Sequence, residues 1–542
     1  VFLACSSVTM VAQTTVNGTV KDSKTGETLP GANIKIENKA VGTTTDFDGN
    51  FVLKVIENPP FTLEISVLGY KMEKVEVTKN NQTVDIALTE NETSLDEIVV
   101  SASRTPERIM ESPVTVERLD ARAIKNSSSA SFYDGLENLK GVDVNTNSLT
   151  FKSVNTRGFA TFANTRFMQL VDGMDNSSPA LNFAIGNLLG MSELDVNTVE
   201  LLPGASSALY GANAFNGIMF MTSRSPFNDQ GISFSYKQGL TSQDAAGDNN
   251  FRDISIRMAH AFSEKFAAKA TLSYLKGTEW YATDYRNTRN GEYAVGDDSL
   301  NDFDGLNIYG DEVATDLGGA VGRVSRTGYE EVDLMKDYEA KSVKLNTALH
   351  YRPFGDDRLE LIFNSKFGVG NTIYQGINRY NIRDFYLAQQ KLELKGKNFF
   401  IRGYVTAEDA GNSYDSRFAA ININRRWKGD REWFAQYART YLSTGSHATA
   451  RAAADTGRLI PGTPEFQATF DEVTSDPDLV TGSRFQDKTK LYHSDVNYNF
   501  QDLIDWAEFQ VGGSYRRYSL NSSGSIFTDN DGPINYDEFG VY

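Results

Sequence analysis

The sequence predicts a mainly β protein in three successive parts: a small β-sandwich, a mixed α/β domain, and a long series of alternating strands. Three observations predict it. Short β-rich runs separated by turn clusters fill residues 14–89. Glycine-punctuated segments with two stretches of helical spacing fill residues 114–225. From Gly231 onward apolar and polar residues alternate with period two. At 542 residues the chain is also too long for one ordinary domain.

Composition narrows the class. Apolar residues make up 40%, mean hydropathy is −0.40, and no run of 18 apolar residues occurs, so no helix is expected to span a bilayer. Strands that cross a membrane escape that test, because alternation keeps the average low. The 25 Tyr and 33 Phe fit the aromatic girdles of a membrane barrel and equally a soluble all-β body. A net charge of −18 argues against nucleic acid, which needs clustered Lys and Arg. The single cysteine, Cys5, excludes an internal disulfide framework. His260, His350, His447 and His493 lack metal-ligand spacing and are expected as surface or strand residues. No Gly-x-Ser-x-Gly, P-loop or His-based metal motif occurs, so neither an enzyme nor a cofactor is expected.

Val1 to Gln13 is apolar and small, like the rear of a secretory signal peptide whose basic front is missing, with cleavage near Ala12–Gln13. The alternative is a lipoprotein cysteine at Cys5. Six β-rich runs follow: Thr15–Val20, Asn33–Glu37, Phe51–Val55, Thr62–Val67, Lys74–Val77 and Thr83–Leu88. Turn clusters at Lys24-Thr25-Gly26, Pro30-Gly31 and Asp46-Phe47-Asp48-Gly49-Asn50 separate them. The last cluster lacks the glutamate and spacing of a calcium loop and is read as a hairpin turn. The order Gly18-Thr19-Val20, Leu29-Pro30-Gly31-Ala32, Asp48-Gly49-Asn50-Phe51, Gly69-Tyr70 resembles the carboxypeptidase regulatory-like domain. That resemblance implies a seven-stranded sandwich without peptidase activity.

Residues 90–113 form a polar linker with Pro106 and Pro113 and one apolar island, Asp96-Glu97-Ile98-Val99-Val100. Such an island can join the edge of a partner's sheet through backbone hydrogen bonds, or add a strand to a neighbouring domain. In 114–225, Leu119–Lys125 and Ser131–Leu139 have helical spacing, with Ser131 placed to cap the second helix and Gly141 to stop it. Turns follow at Arg157-Gly158 and at Asp172-Gly173. An apolar strand then runs into Pro203-Gly204, small residues lead to Tyr210-Gly211, and Gly217 opens a second strand. This ordered set resembles the plug domain of TonB-dependent outer-membrane receptors. Most of these residues are expected to build the plug rather than touch ligand. Relatives carry an arginine before Pro203-Gly204, and its absence puts in doubt a plug-to-barrel ion pair there. Under the same resemblance, Asp96 to Val100 is the TonB box.

Period-two runs include Ile232–Lys237, Ile254–Ala259, Phe266–Tyr274, Val343–Tyr351, Leu359–Val369, Phe399–Thr406, Tyr492–Phe500 and Phe509–Tyr515. A soluble sandwich gives the same alternation as a barrel in lipid. Connection lengths favour the barrel: long insertions near 278–338 and 427–490 contrast with short turns such as Pro353-Phe354-Gly355-Asp356. The second insertion carries helical pieces at Arg431–Leu442 and Pro464–Val473, with Thr463-Pro464 as a helix start, and is read as a lid. The cluster Arg425-Arg426-Trp427 to Arg431-Glu432-Trp433 is read as an interfacial girdle, with contact to ligand as the alternative.

Taken whole, the resemblance implies a remnant signal peptide (1–13), a sandwich (14–89), a linker with TonB box (90–113), a plug (114–225) and the first half of an antiparallel transmembrane β-barrel (226–542). The complete barrel would have about 22 strands, and the chain is expected to be truncated at both ends. It further implies import of a scarce nutrient across the outer membrane, with the sandwich in the periplasm. The implied partners are TonB with its inner-membrane motor proteins, outer-membrane lipid, an extracellular ligand and a surface lipoprotein. Val99-Val100-Ser101-Ala102-Ser103-Arg104 resembles siderophore and vitamin receptors; an oligosaccharide or peptide is the alternative ligand. A surface β-sandwich adhesin and a carbohydrate-active protein are rival classes.

Overall fold

The computed structural model describes residues 14–37, 39, 41–67, 69–89, 98–109, 112, 114–127, 129–158, 164–182, 184–291, 301–376, 378–504 and 506–542. The signal-peptide reading of 1–13, and Asp96 and Glu97, lie outside the described residues. The chain divides into two compact units, one of 1–98 with 108–110, the other of 99–107 with 111–542.

The first unit is a sandwich of two sheets. Strands β1 (Thr14–Asp22), β2 (Asn33–Ile36), β3 (Gly42–Thr44), β4 (Asn50–Val55), β5 (Phe61–Ser66), β6 (Glu73–Val77) and β7 (Gln82–Leu88) arrange as β4-β1-β7 and β3-β2-β5-β6. Strict alternation puts every second residue between the sheets, so Val16, Val20, Ile34, Leu53, Leu63, Ile65 and Leu88 form one dry core. The short β3 is too polar to stand out in the sequence. At the Asp46 turn, Oδ1 accepts the backbone N–H of Asp48 (3.0 Å) and Asn50 (2.8 Å), which occupies it in turn geometry.

Two short strands, β8 (Ile98–Val99) and β9 (Glu107–Arg108), pair with each other; Val99 and Glu107 belong to the second unit, Ile98 and Arg108 to the first. A mixed domain follows: β10 (Glu117–Asp120), α1 (Ala121–Lys125), α2 (Phe132–Gly135), β11 (Val142–Thr146), β12 (Lys152–Thr156), β13 (Phe167–Val171), β14 (Met174–Asp175), β15 (Val196–Pro203), α3 (Ser207–Tyr210) and β16 (Gly217–Ser223). Its main sheet runs β10-β15-β16-β13-β14, with β13 and β16 parallel. Leu119 is strand rather than helix, because it pairs with Val199, and Asp120 then caps α1 at Ala123. Ser131 caps α2 in a reciprocal box with Asp134.

Ten long strands then pair consecutively and antiparallel. The first three are β17 (Gly231–Gln243), β18 (Gly247–Ala261) and β19 (Phe266–Thr278). An insertion carries β20 (Ile308–Tyr309), β21 (Ala314–Asp316), β22 (Arg323–Ser325) and β23 (Tyr329–Glu330). The sheet resumes with β24 (Glu339–Tyr351), β25 (Leu359–Gln375), β26 (Arg379–Gly396) and β27 (Phe399–Asp409). A second insertion holds β28 (Tyr414–Asp415), α4 (Ser416–Trp427), α5 (Asp430–Thr444), α6 (His447–Ala454) and α7 (Pro464–Ser475). The last three strands are β29 (Lys490–Asn499), β30 (Gln510–Leu520) and β31 (Ile534–Val541).

The polarity of this sheet decides its surroundings. Its buried face is polar, with Ser255, Arg257, Lys269, Thr271, Ser273, Lys391, Arg402, Asp495 and Asn497. Its outward face is apolar, with Phe234, Met258, Leu272, Phe363, Leu392, Ile401 and Val496 exposed. A water-soluble sandwich buries the opposite face; strands in lipid bury this one. The connections sort by end as well. Residues 262–265, 352–358, 397–398 and 500–509 link strands at one end, and both long insertions lie at the other.

The two insertions share cores. Tyr309, Tyr329 and Leu334 of the first pack with Ala419, Ile423, Phe466 and Phe470 of the second. Val321 and Val324 pack with Trp433, Tyr437, Ala450 and Ala454. Helix α4 starts ahead of the insertion expected at 427, because Asp415 caps it and buried Asn422 and Asn424 blur its helical pattern. The girdle reading of Trp433 is corrected: it is fully buried, and its Nε1–H donates to Asp455 at 2.8 Å. Arg326 lies between Trp427 and Trp433 and donates to Asp430 at 2.5 Å.

Candidate coupling segment and plug seam

Residues 99–107 pack inside the second unit. Val99 is fully buried. The backbone N–H groups of Val100 and Ser101 both donate to Glu200 Oε2, at 2.9 and 2.8 Å. Glu200 itself is buried on β15, so these two donors satisfy one oxygen of a desolvated carboxylate. Tyr210 Oη donates to the Ser101 carbonyl at 2.7 Å. Gln510 and Asn499, on the barrel wall, donate to Ser103 O (2.6 Å) and Thr105 Oγ1 (3.1 Å).

Arg104 is the centre of this segment. Its φ of +63° turns the side chain into the interior. Its guanidinium donates to Asp495 (2.7 Å), Leu209 O (3.1 Å) and Tyr542 Oη (3.0 Å), and lies over the Tyr210 ring. Arg402 donates to the same carboxylate at 2.9 and 2.5 Å. One wall aspartate is thereby shared by an arginine of the segment and an arginine of the wall.

The glycine motifs build the domain that receives this segment. Asp172 and Gly173 both have positive φ and close the β13–β14 hairpin. A Cβ at Gly173 would fall inside the Arg402 guanidinium, so the missing side chain is what lets the wall reach the turn. Arg157 and Gly158 form a turn of the same hand. The Arg157 guanidinium lies directly on Gly204, which brings two sequence-distant motifs together. Pro203 ends β15 opposite Gly217, and Gly211 ends α3 after Tyr210. Ile98 and Val99 pair as β8, while the remaining island residues Asp96 and Glu97 are not described.

No arginine precedes Pro203, yet plug and wall are joined by charge elsewhere. Asp195 accepts from Arg257 (2.8 Å) and Lys269 (2.9 Å), all three side chains nearly inaccessible. Asp172 is held below the ordinary carboxylate range, against burial, by Lys366, Lys269 and Lys391. Glu408 Oε1 accepts the Ala180 N–H at 2.7 Å, and Gln389 donates to Asp175 O at 2.7 Å. Sequence reasoning missed Glu200, Asp195 and the role of Arg104. Only a buried charge inside an apolar strand, Glu200 between Val199 and Leu201, marked any of them in the sequence.

The family of TonB-dependent receptor plug domains matches residues 108–218, and that of carboxypeptidase regulatory-like domains matches 16–100. The chain therefore carries a TonB-dependent receptor plug domain behind a carboxypeptidase regulatory-like domain. The TonB-dependent receptor SusC of Bacteroides thetaiotaomicron is 29% identical over 236 residues, covering 42% of this chain and 23% of that protein. A TonB-dependent receptor of Formosa agariphila is 27% identical over 218 residues, covering 39% of this chain and 20% of that protein. The siderophore receptor PirA of Pseudomonas aeruginosa, a solved structure, is 13% identical with a TM-score of 0.42, covering 78% of this chain and 50% of that one. The matched stretches thus span about a fifth of the curated relatives' length. The curated relatives are named as TonB-dependent receptors, and the long strands of this chain carry the outward apolar band described above.

Proposed function

We propose that the whole protein imports a scarce nutrient across the outer membrane, driven by TonB and its inner-membrane motor proteins. One observation carries the reading: the segment just after the apolar island is bonded to the plug through Glu200 and to the wall through Asp495. A pull on Asp96 to Val100, paired as a strand with TonB, would act first on those contacts. The insertions over one end are the ligand's entry, and a surface lipoprotein can sit against them.

Two ligand classes are carried. A siderophore or cobalamin follows from Val99 to Arg104. The sequence likeness to SusC, with a sandwich ahead of the plug in this chain, favours an oligosaccharide or peptide. In the full-length protein, Val99→Pro should abolish uptake of labelled ligand while surface binding persists, as should deletion of TonB. Normal uptake by the Val99→Pro strain removes the coupling assignment.

A further inference from the structure

Five adjacent strands, β17, β18, β19, β24 and β25, each present one inward cation whose partner belongs to the plug. Lys237 pairs with Glu193 at 2.6 Å. Arg257 and Lys269 share Asp195. Lys344 donates to the carbonyl and side-chain oxygens of Asn187, both at 3.2 Å. Lys366 donates to Val171 O at 3.4 Å and lies 3.7 Å from Asp172. On the next strands the carboxylate partners lie in the wall itself: Lys391 pairs with Glu393 while also donating to Asp172 O at 2.8 Å, and Arg402 pairs with Asp495. Inward carboxylates on the five strands are Asp253, beside Lys237 and Lys344, and Glu360, already paired with Arg352 at 3.1 Å.

Two cavities lie along this same strip, between it and the plug segment 187–195. Lys344, Ser192 and Ser273 line both, and Lys366 lines the first. Ser192 Oγ, Thr271 Oγ1 and Asn346 Oδ1 belong to residues lining the first and have no hydrogen-bond partner among the described residues. The seam is therefore loosely packed on this face, with partnerless polar atoms in its lining.

We propose that cargo passes along this face and is anionic, bearing carboxylate, sulfate or catecholate groups. The inference rests on the import reading above. Burying a cation without a partner is costly, and here the plug supplies nearly every partner. Once residues 171–172 and 187–195 move, five cations line one side of the passage. Anionic cargo replaces the lost acceptors; neutral cargo leaves the strip unpaired. The acidic insertion ahead of it does not cancel this field. Its Asp284, Asp302, Glu312, Glu331 and Asp337 are each paired with an arginine, and screening confines the rest to roughly 8 Å.

The test is uptake by cells carrying the full-length protein, with Lys344→Gln/Lys366→Gln against the parent. Probes come in charged and neutral pairs: oligogalacturonate with its methyl ester, and an anionic ferric catecholate with a neutral ferric hydroxamate. The pair that is taken up distinguishes a sugar from a siderophore source. The expected result is preference for the anionic member, with the anionic-to-neutral uptake ratio falling about tenfold in the variant. An equal loss for both members, or an unchanged ratio, overturns the inference and leaves the lysines as plug anchors. Uptake confined to neutral members overturns it while sparing import, whereas TonB-independent accumulation of every probe overturns the import reading itself.

Discussion

Arg104 Nη2 donates to Asp495 Oδ2 at 2.7 Å, joining residues 391 positions apart in the chain. The contact ties residues 99–107 to strand β29 while Glu200 ties them to the plug. Both arginines on Asp495 are nearly inaccessible, so neither charge is replaced by water when its partner goes.

Arg104→Ala should therefore free the segment before it unfolds anything else. Arg402 still covers Asp495, which puts the cost near the low end for a broken buried pair, about 3 kcal/mol. Amide exchange across 99–107 should quicken by about two orders of magnitude, the same energy expressed as a rate ratio. Unchanged protection there would mean that Glu200 alone holds the segment.

Gly173→Ala attacks the same aspartate from the opposite side. The new methyl occupies the place of the Arg402 guanidinium, at a φ of +77° that alanine also disfavours. Strain and the displaced ion pair together should cost about 3 kcal/mol. Thermal unfolding in detergent should drop by several degrees, and Arg402→Ala should lower it less when added to Gly173→Ala than when made alone. Strict additivity of the two would separate the glycine from the arginine.

The two packed insertions should respond to pH through Asp311 and Glu312. Burial away from water raises Asp311 to about 8 and Glu312 to about 7. Asp311 Oδ2 accepts the Gly305 N–H, while Oδ1 has no donor among the described residues, as suits a neutral acid. Both groups are raised in the folded state, so the unfolded insertions hold fewer protons at neutral pH. Their contribution is complete below about pH 4 and is lost as pH rises through 7 to 8. Protection factors over 301–337, corrected for intrinsic base-catalysed exchange, should fall between pH 5 and pH 9, and Asp311→Asn should flatten that dependence. Insertions that tighten with rising pH contradict the assignment.

The mainly β class, the sandwich and the alternating strands were legible because period-two burial is written directly in residue type. Ile254, Ile256 and Met258 against Ser255, Arg257 and Ala259 needed no tertiary information to be seen as two faces. Which face met lipid was not legible, since alternation is symmetric until something identifies the inside; the buried Arg257 and Lys269 do so only once Asp195 is beside them. The turns at Arg157-Gly158 and Asp172-Gly173 were visible as glycine signals. Their neighbours Gly204 and Arg402 were not, because those contacts are long-range. Helix α4 was missed because its buried asparagines serve the paired insertions: Asn422 donates to Gly482 O at 2.7 Å and Asn424 to Thr327 O at 3.0 Å.

That pair is one folded body written in two places, with Tyr329 and Leu334 in the first insertion and Phe466 and Phe470 in the second. Transplanting either stretch alone into a sister protein would carry half an interior. Any evolutionary change that reshapes this body must alter both stretches in step, or keep their shared seam fixed and vary only the outer loops.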